Sequence, residues 1–132
     1  MTEKKCRILY VDDHDDSAAM LKLILADADY EVETARNMEQ ALQMAADGTF
    51  DLYVLDKRLP DGSGLELVKR LNALTPDVPC VIYTGDAYEL HQKEALAAGA
   101  DAYVPKPDIE QLIETVNRFL AAQHCATAAS SA

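Results

Sequence analysis

The residues best suited to chemistry stand directly after short apolar runs that have the composition of buried strands. Asp12 and Asp13 follow the first of these runs, Asp56 follows another, Thr84 ends a further one, and Lys106 follows the last. Three carboxylates held close together repel one another unless a cation lies between them. Mg²⁺ suits such a group because it accepts one or two carboxylates, keeps several waters and leaves room for a phosphoryl oxygen. The sequence therefore predicts a magnesium site.

The same residues suggest a receptor for a phosphoryl group. A magnesium ion, the ammonium of Lys106 and the hydroxyl of Thr84 would together neutralise phosphoryl oxygens around one carboxylate. Aspartate can attack phosphorus and form an acyl phosphate. We expect Asp56 to be the nucleophile because it stands alone after its strand, whereas Asp12 and Asp13 form a pair.

Alternating strand and helix patterns along the chain must bring these residues together. Five strand–helix units in this order predict an α/β fold in which helices cover both faces of a parallel sheet. Uniformly apolar strands are expected at the centre, and the strands with a polar side or a proline at the edges. Right-handed crossovers then favour a doubly wound, flavodoxin-like sheet of order 2-1-3-4-5. The predicted strands are 6–11, 30–35, 51–55, 79–84 and 102–104, and helices are predicted through 20–25, 38–46, 65–71, 88–98 and 109–120.

The 132 residues suffice for one domain, which we place at 1–121, followed by a frayed tail at 122–132. The net charge of −11 argues against direct binding to nucleic acid or to an anionic membrane. No run is long enough to cross a bilayer, and the N-terminus lacks a signal-peptide pattern. Three widely spaced cysteines disfavour a disulfide framework and a zinc site, and they suit a reducing cytoplasm.

With its motifs in order, the chain resembles the receiver domain of bacterial two-component response regulators over about residues 5–121. The matching pieces are Asp12-Asp13, Asp56 with LPDGSG at 59–64, Thr84-Gly85, and YVPKP at 103–107. The resemblance implies that a sensor histidine kinase or a phosphotransfer protein supplies a phosphoryl group to Asp56. It also implies a signalling switch that catalyses only its own phosphorylation and dephosphorylation.

The resemblance further implies the metal ligands. Asp13 and Asp56 would bind Mg²⁺ directly, together with the backbone carbonyl of Arg58, and Asp12 would act largely through water. Mn²⁺ could substitute for Mg²⁺.

The resemblance also implies which residues would bind the phosphoryl group and take part in a conformational switch. Thr84 and Lys106 would hold the phosphoryl oxygens, Tyr103 would turn inward as Thr84 moves, and the bond before Pro107 would be cis. A downstream protein would then bind the surface around the fourth helix, fifth strand and fifth helix. The chain would be a monomer or a phosphorylation-dependent dimer.

Two further expectations concern the mouth of the pocket. Arg58 and Asp86 each follow a site residue by two positions, which suggests an ion pair that partly covers the pocket and slows hydrolysis. The alternative is two solvated side chains that never meet. His14 and His91 are expected to face solvent. For His14, which stands beside the acidic pair, a contact with the pocket is the less favoured alternative.

The sequence also allows other functions. The chain could be a receiver-like docking scaffold that is not phosphorylated. A phosphohydrolase with an aspartyl nucleophile is less favoured, because Arg58 stands where such enzymes commonly have a second carboxylate. A flavin carrier is also less favoured, since the acidic segment at 12–16 would repel a phosphate.

Overall fold

Five short strands form one parallel sheet in the computed structural model, which describes residues 6–85, 89–106 and 108–121. Their order across the sheet is β2-β1-β3-β4-β5, so the predicted topology is confirmed. The polar-sided strand and the strand that ends in a proline lie at the two edges, as expected. The strands are β1 (Arg7–Val11), β2 (Glu31–Ala35), β3 (Leu52–Leu55), β4 (Cys80–Thr84) and β5 (Ala102–Pro105).

Helices cover both faces of this sheet. Apolar residues of α1 and α5 pack on one face, and those of α2, α3 and α4 pack on the other. Because side chains alternate along a strand, β1 contributes Ile8 and Tyr10 to the first face and Leu9 and Val11 to the second. The helices are α1 (Asp15–Asp27), α2 (Met38–Asp47), α3 (Gly64–Leu74), α4 (Glu89–Ala97) and α5 (Ile109–Leu120).

A two-stranded antiparallel hairpin follows β3 and carries the LPDGSG segment. Arg58–Leu59 pairs with Gly62–Ser63, and the chain enters α3 directly afterwards. Gly64 is needed at this junction because a Cβ there would overlap the carbonyl oxygen of Asp56. The glycine thus lets α3 begin against the end of β3, which fixes the backbone beside Asp56.

The cysteines depart from the sequence interpretation in one respect. Cys80 is free and fully buried, but Cys6 is disulfide-bonded, although the cysteine spacing had disfavoured a disulfide framework. Sequence spacing cannot reveal which cysteines a fold brings within bonding distance.

Within the described ranges, every helix is too short or too polar to cross a bilayer. The tail predicted at 122–132 lies outside those ranges.

Candidate functional site

The carboxyl ends of the central strands bring the acidic residues together. Asp12, Asp13, His14 and Asp56 each offer a ligand atom, and these atoms all lie within 4.8 Å of one another. Hydrogen bonds that continue the sheet hold this end in place, since the Asp56 amide donates to the carbonyl of Val11 at 2.9 Å. The structure thus brings together the three carboxylates that the sequence placed at one edge of the sheet, and their roles remain predictions.

Asp12 is the most deeply buried of these carboxylates, with 1% of its surface exposed. Its Oδ2 accepts hydrogen bonds from the Tyr10 hydroxyl at 2.6 Å and from Lys106 Nζ at 2.8 Å. Its Oδ1 accepts a hydrogen bond from the His14 amide at 2.9 Å. Burial by itself raises the pKa of Asp12, but the hydrogen bonds, above all those of Lys106 and Tyr10, outweigh it and lower the pKa to about 2.

Lys106 directly follows β5 and contacts two carboxylates of this cluster. Besides Asp12, its Nζ reaches Asp56 Oδ2 at 3.4 Å. Its backbone amide donates to the carbonyl of Thr84 at 2.7 Å, which fixes the loop after β5 to the end of β4. Although burial lowers the pKa of this lysine, the two carboxylates more than offset the effect and raise it above its usual value.

His14 lies at the rim of the cluster, where its ring contacts the carboxylates of Asp12 and Asp13. Its Nδ1 lies 2.9 Å from Asp12 Oδ1 and 3.2 Å from Asp13 Oδ1. These contacts, first of all the hydrogen bond to Asp12, raise the pKa of His14. The side chain remains 69% exposed. It therefore faces solvent as expected, but it also contacts the acidic pair, which the sequence indicated only as the less favoured alternative.

The remaining predicted residues take different places around the site. Thr84 is buried at the end of β4, and Tyr103 is buried on β5 with 7% of its surface exposed. Arg58 is exposed on the hairpin after β3. Asp86 and Pro107 lie outside the described residues, so the Arg58–Asp86 pair and the cis bond remain predictions.

Tyr10 and Asp61 are contributors that the sequence analysis missed. Tyr10 lies on β1, and Asp12 follows that strand two positions later. Period-two geometry continued past the strand end would have predicted both side chains on one side of the sheet. Asp61 accepts hydrogen bonds from the Met38 and Glu39 amides at 2.8 and 3.0 Å, which ties the hairpin to the start of α2. No local pattern links residues so distant in sequence.

The charges of this arrangement suit a divalent cation. Asp12 and Asp56 are both buried, and Asp13 is partly exposed beside them. Within this group, the ammonium of Lys106 offsets only part of the negative charge of the three carboxylates. Oxygen ligands and excess negative charge are the features that Mg²⁺ requires of a protein site.

Comparison with known proteins shows which family the sequence matches. A family model described as the response regulator receiver domain matches residues 8–117. The chain is 36% identical over 111 residues to the response regulator protein PilR of Pseudomonas aeruginosa. The matched region covers 83% of this chain and 25% of that protein. It is 39% identical over 102 residues to the phosphate regulon transcriptional regulatory protein PhoB of the same species, covering 76% of this chain and 44% of that protein. The chain therefore spans less than half the length of these relatives.

Solved structures give the same result. A CheY-like receiver domain protein from Methanospirillum hungatei superimposes with a TM-score of 0.84 at 35% identity, covering 90% of this chain and 96% of that chain. A two-component response regulator from Clostridium difficile superimposes with a TM-score of 0.86 at 29% identity, covering 91% and 99%. This chain, with its acidic cluster at the carboxyl edge of a flavodoxin-like sheet, therefore belongs to the receiver-domain family of two-component response regulators.

Proposed function

We propose that Asp56 accepts a phosphoryl group from a phosphohistidine on a sensor histidine kinase or a phosphotransfer protein. The observation that carries the proposal is the position of Lys106, whose Nζ lies 2.8 Å from Asp12 and 3.4 Å from Asp56. An ammonium placed beside a strand-end carboxylate suits a site that receives the negatively charged oxygens of a phosphoryl group. Membership of the receiver family supports the same assignment.

The transfer step uses groups of this chain and of the donor. An Asp56 oxygen bonds to phosphorus while the phosphorus–nitrogen bond of the phosphohistidine breaks, and the electron pair of that bond stays on the donor's imidazole. Lys106 and Thr84 hold the transferred oxygens. Later attack by water on phosphorus restores the Asp56 carboxylate and releases inorganic phosphate.

The proposed cofactor is Mg²⁺, for which Mn²⁺ can substitute. Asp13, Asp56 and the backbone carbonyl of Arg58 would hold it directly, and Asp12 would contribute through water. This division is supported by the contacts of Asp12, because both of its oxygens already accept hydrogen bonds from protein groups. When bound, the ion neutralises charge on the phosphoryl oxygens.

The proposed output is a conformational change that a downstream protein reads on the surface formed by α4, β5 and α5. Thr84 and Tyr103 lie on neighbouring strands that border this surface, so movement of one can be transmitted to the other. A cavity of about 450 Å³ between β5 and α5 and the exposed Leu90 and Leu96 of α4 offer contact area there. Phosphorylation would favour one of two conformations already in equilibrium.

Intact-mass spectrometry after incubation with acetyl phosphate tests the phosphorylation. We expect one phosphoryl adduct on the wild type with Mg²⁺ and none with EDTA. The adduct should disappear in Asp56→Asn and persist in Asp47→Asn, a control that removes an exposed carboxylate at the end of α2. Absence of an adduct with acetyl phosphate and with phosphoramidate would contradict the proposal and favour the docking scaffold.

A further inference from the structure

His14 occupies a position that the proposed phosphorylation chemistry does not use. Its ring Nδ1 lies 2.9 Å from Asp12 Oδ1 and 3.2 Å from Asp13 Oδ1, and it shares the 4.8 Å cluster with Asp56. The ring is otherwise open to solvent, since 69% of the side chain is exposed. The position of the imidazole is therefore set mainly by its polar contacts with these two carboxylates and not by burial.

The distances match those between ligands of a single metal ion. Two ligands at right angles on a six-coordinate ion, with bonds of about 2.1 Å, lie about 3 Å apart. The separation of 3.2 Å between His14 Nδ1 and Asp13 Oδ1 is close to this value. An ion held by Asp13 would thus have the ring nitrogen within reach of a neighbouring coordination position.

We propose that His14 is an additional metal ligand, which makes the site a mixed nitrogen–oxygen site that selects Mn²⁺ or Co²⁺ over Mg²⁺. The inference rests on the divalent-ion site of the proposed function and concerns which ion that site prefers. Imidazole binds first-row transition ions well, whereas Mg²⁺ prefers oxygen and gains little from a nitrogen ligand. The neutral ring would bind through Nδ1 and keep its proton on Nε2.

The competing explanation is that His14 only positions Asp12. Its backbone amide and its ring nitrogen both lie 2.9 Å from the same Asp12 oxygen, so it could hold that carboxylate without touching an ion. Loss of a positioning residue would weaken the binding of all divalent ions to a similar degree. Loss of a nitrogen ligand would weaken only the binding of those ions that coordinate imidazole well.

Calorimetric titration of the untagged protein with Mg²⁺ alone and with Co²⁺ alone separates these explanations. His14→Asn is the informative variant because asparagine is also a good N-cap residue, and His14 precedes α1 as its N-cap. We expect it to lower the affinity for Co²⁺ about tenfold and to leave the affinity for Mg²⁺ within about twofold. His91→Asn on α4 is the matched control and should change neither affinity.

Pulsed electron paramagnetic resonance of bound Mn²⁺ gives a direct second measurement. Coupling to a coordinated imidazole nitrogen should appear in the wild type and in His91→Asn, and it should vanish in His14→Asn. A uniform loss of Mg²⁺ and Co²⁺ affinity in His14→Asn, or nitrogen coupling that persists there, would overturn the inference and leave the proposed function standing. A wild type that binds neither ion would overturn both.

Discussion

Replacing Tyr10 with phenylalanine tests whether buried hydrogen-bond donors, and not solvent, stabilise the charged carboxylate of Asp12. The Tyr10 side chain is fully buried, and its hydroxyl donates to Asp12 Oδ2 at 2.6 Å. The carboxylate retains its bonds to Lys106 and His14 in the variant, so the change removes one donor and little volume. Burial and the bond to Asp12 also raise the pKa of the Tyr10 hydroxyl far above its usual value, so it remains a donor at every ordinary pH.

The expected cost follows from the charge of the acceptor. A hydrogen bond to a charged group contributes about 1.5–3 kcal/mol, whereas a bond between neutral groups contributes about 0.5–1.5 kcal/mol. Tyr53→Phe is the matched control, because Tyr53 is equally buried on β3 and its hydroxyl bonds the neutral Thr75 hydroxyl at 2.9 Å. We expect Tyr10→Phe to lower the free energy of unfolding by about 2 kcal/mol and Tyr53→Phe by about 1 kcal/mol.

Urea unfolding followed by circular dichroism in EDTA measures both effects without a bound metal ion. With a denaturant slope of about 1–2 kcal/mol per molar, Tyr10→Phe should lower the midpoint by about 1–2 M. In an Asp12→Ala background the same change should cost almost nothing, because the hydroxyl has lost its charged acceptor. Equal costs in both backgrounds, or a cost no larger than that of Tyr53→Phe, would refute the reasoning.

Two other substitutions test how the loop after β3 is held. Gly64→Ala places a Cβ against the carbonyl oxygen of Asp56, so it should lower the free energy of unfolding measured in urea by about 2–3 kcal/mol. Gly85→Ala is the control, because its Cβ meets no atom within 4 Å and the change should be tolerated. Asp61→Asn weakens the bonds to the first amides of α2 and should cost about 1 kcal/mol at neutral pH. Burial raises the pKa of Asp61, but the backbone hydrogen bonds together outweigh it and lower the pKa overall. This stabilisation is therefore present above the unfolded-state pKa and is lost as the pH falls through the folded value. The unfolding curves of Asp61→Asn and the wild type should therefore converge at acid pH, and a constant difference would contradict this origin.

The parts of the site that lie on strand ends could be predicted from the sequence, and the reason is geometric. Parallel strands must end at one edge of the sheet, so Asp12, Asp56 and Lys106 had to meet once their apolar runs were recognised as strands. The amino-acid types then restricted the chemistry to cation and phosphoryl binding. No knowledge of side-chain conformation was needed for either step.

The contacts within the site could not be predicted in the same way, because they depend on side-chain rotamers and on loops. The ring of His14 turns back onto the two carboxylates, a contact that the sequence indicated only as the less favoured alternative to a solvent-facing ring. Asp61 lies in a turn motif, but its partners are amides of a helix more than twenty residues earlier in the chain. The disulfide bond of Cys6 could not be predicted for the same reason, since it depends on a distance between cysteines in the folded chain.

The unequal distances from Lys106 to its two carboxylates bear on how the proposed switch can work. Its Nζ lies closer to Asp12, at 2.8 Å, than to Asp56, at 3.4 Å. If Asp56 carries a phosphoryl group, Lys106 can move toward the new oxygens only by weakening its bond to Asp12. A buried carboxylate that lost its only partner would be strongly destabilised, but Asp12 would keep the Tyr10 hydroxyl and the His14 amide. These two donors would therefore lower the cost of moving Lys106, and we expect the Tyr10 hydroxyl and the His14 backbone amide to contribute to the proposed switch in this way.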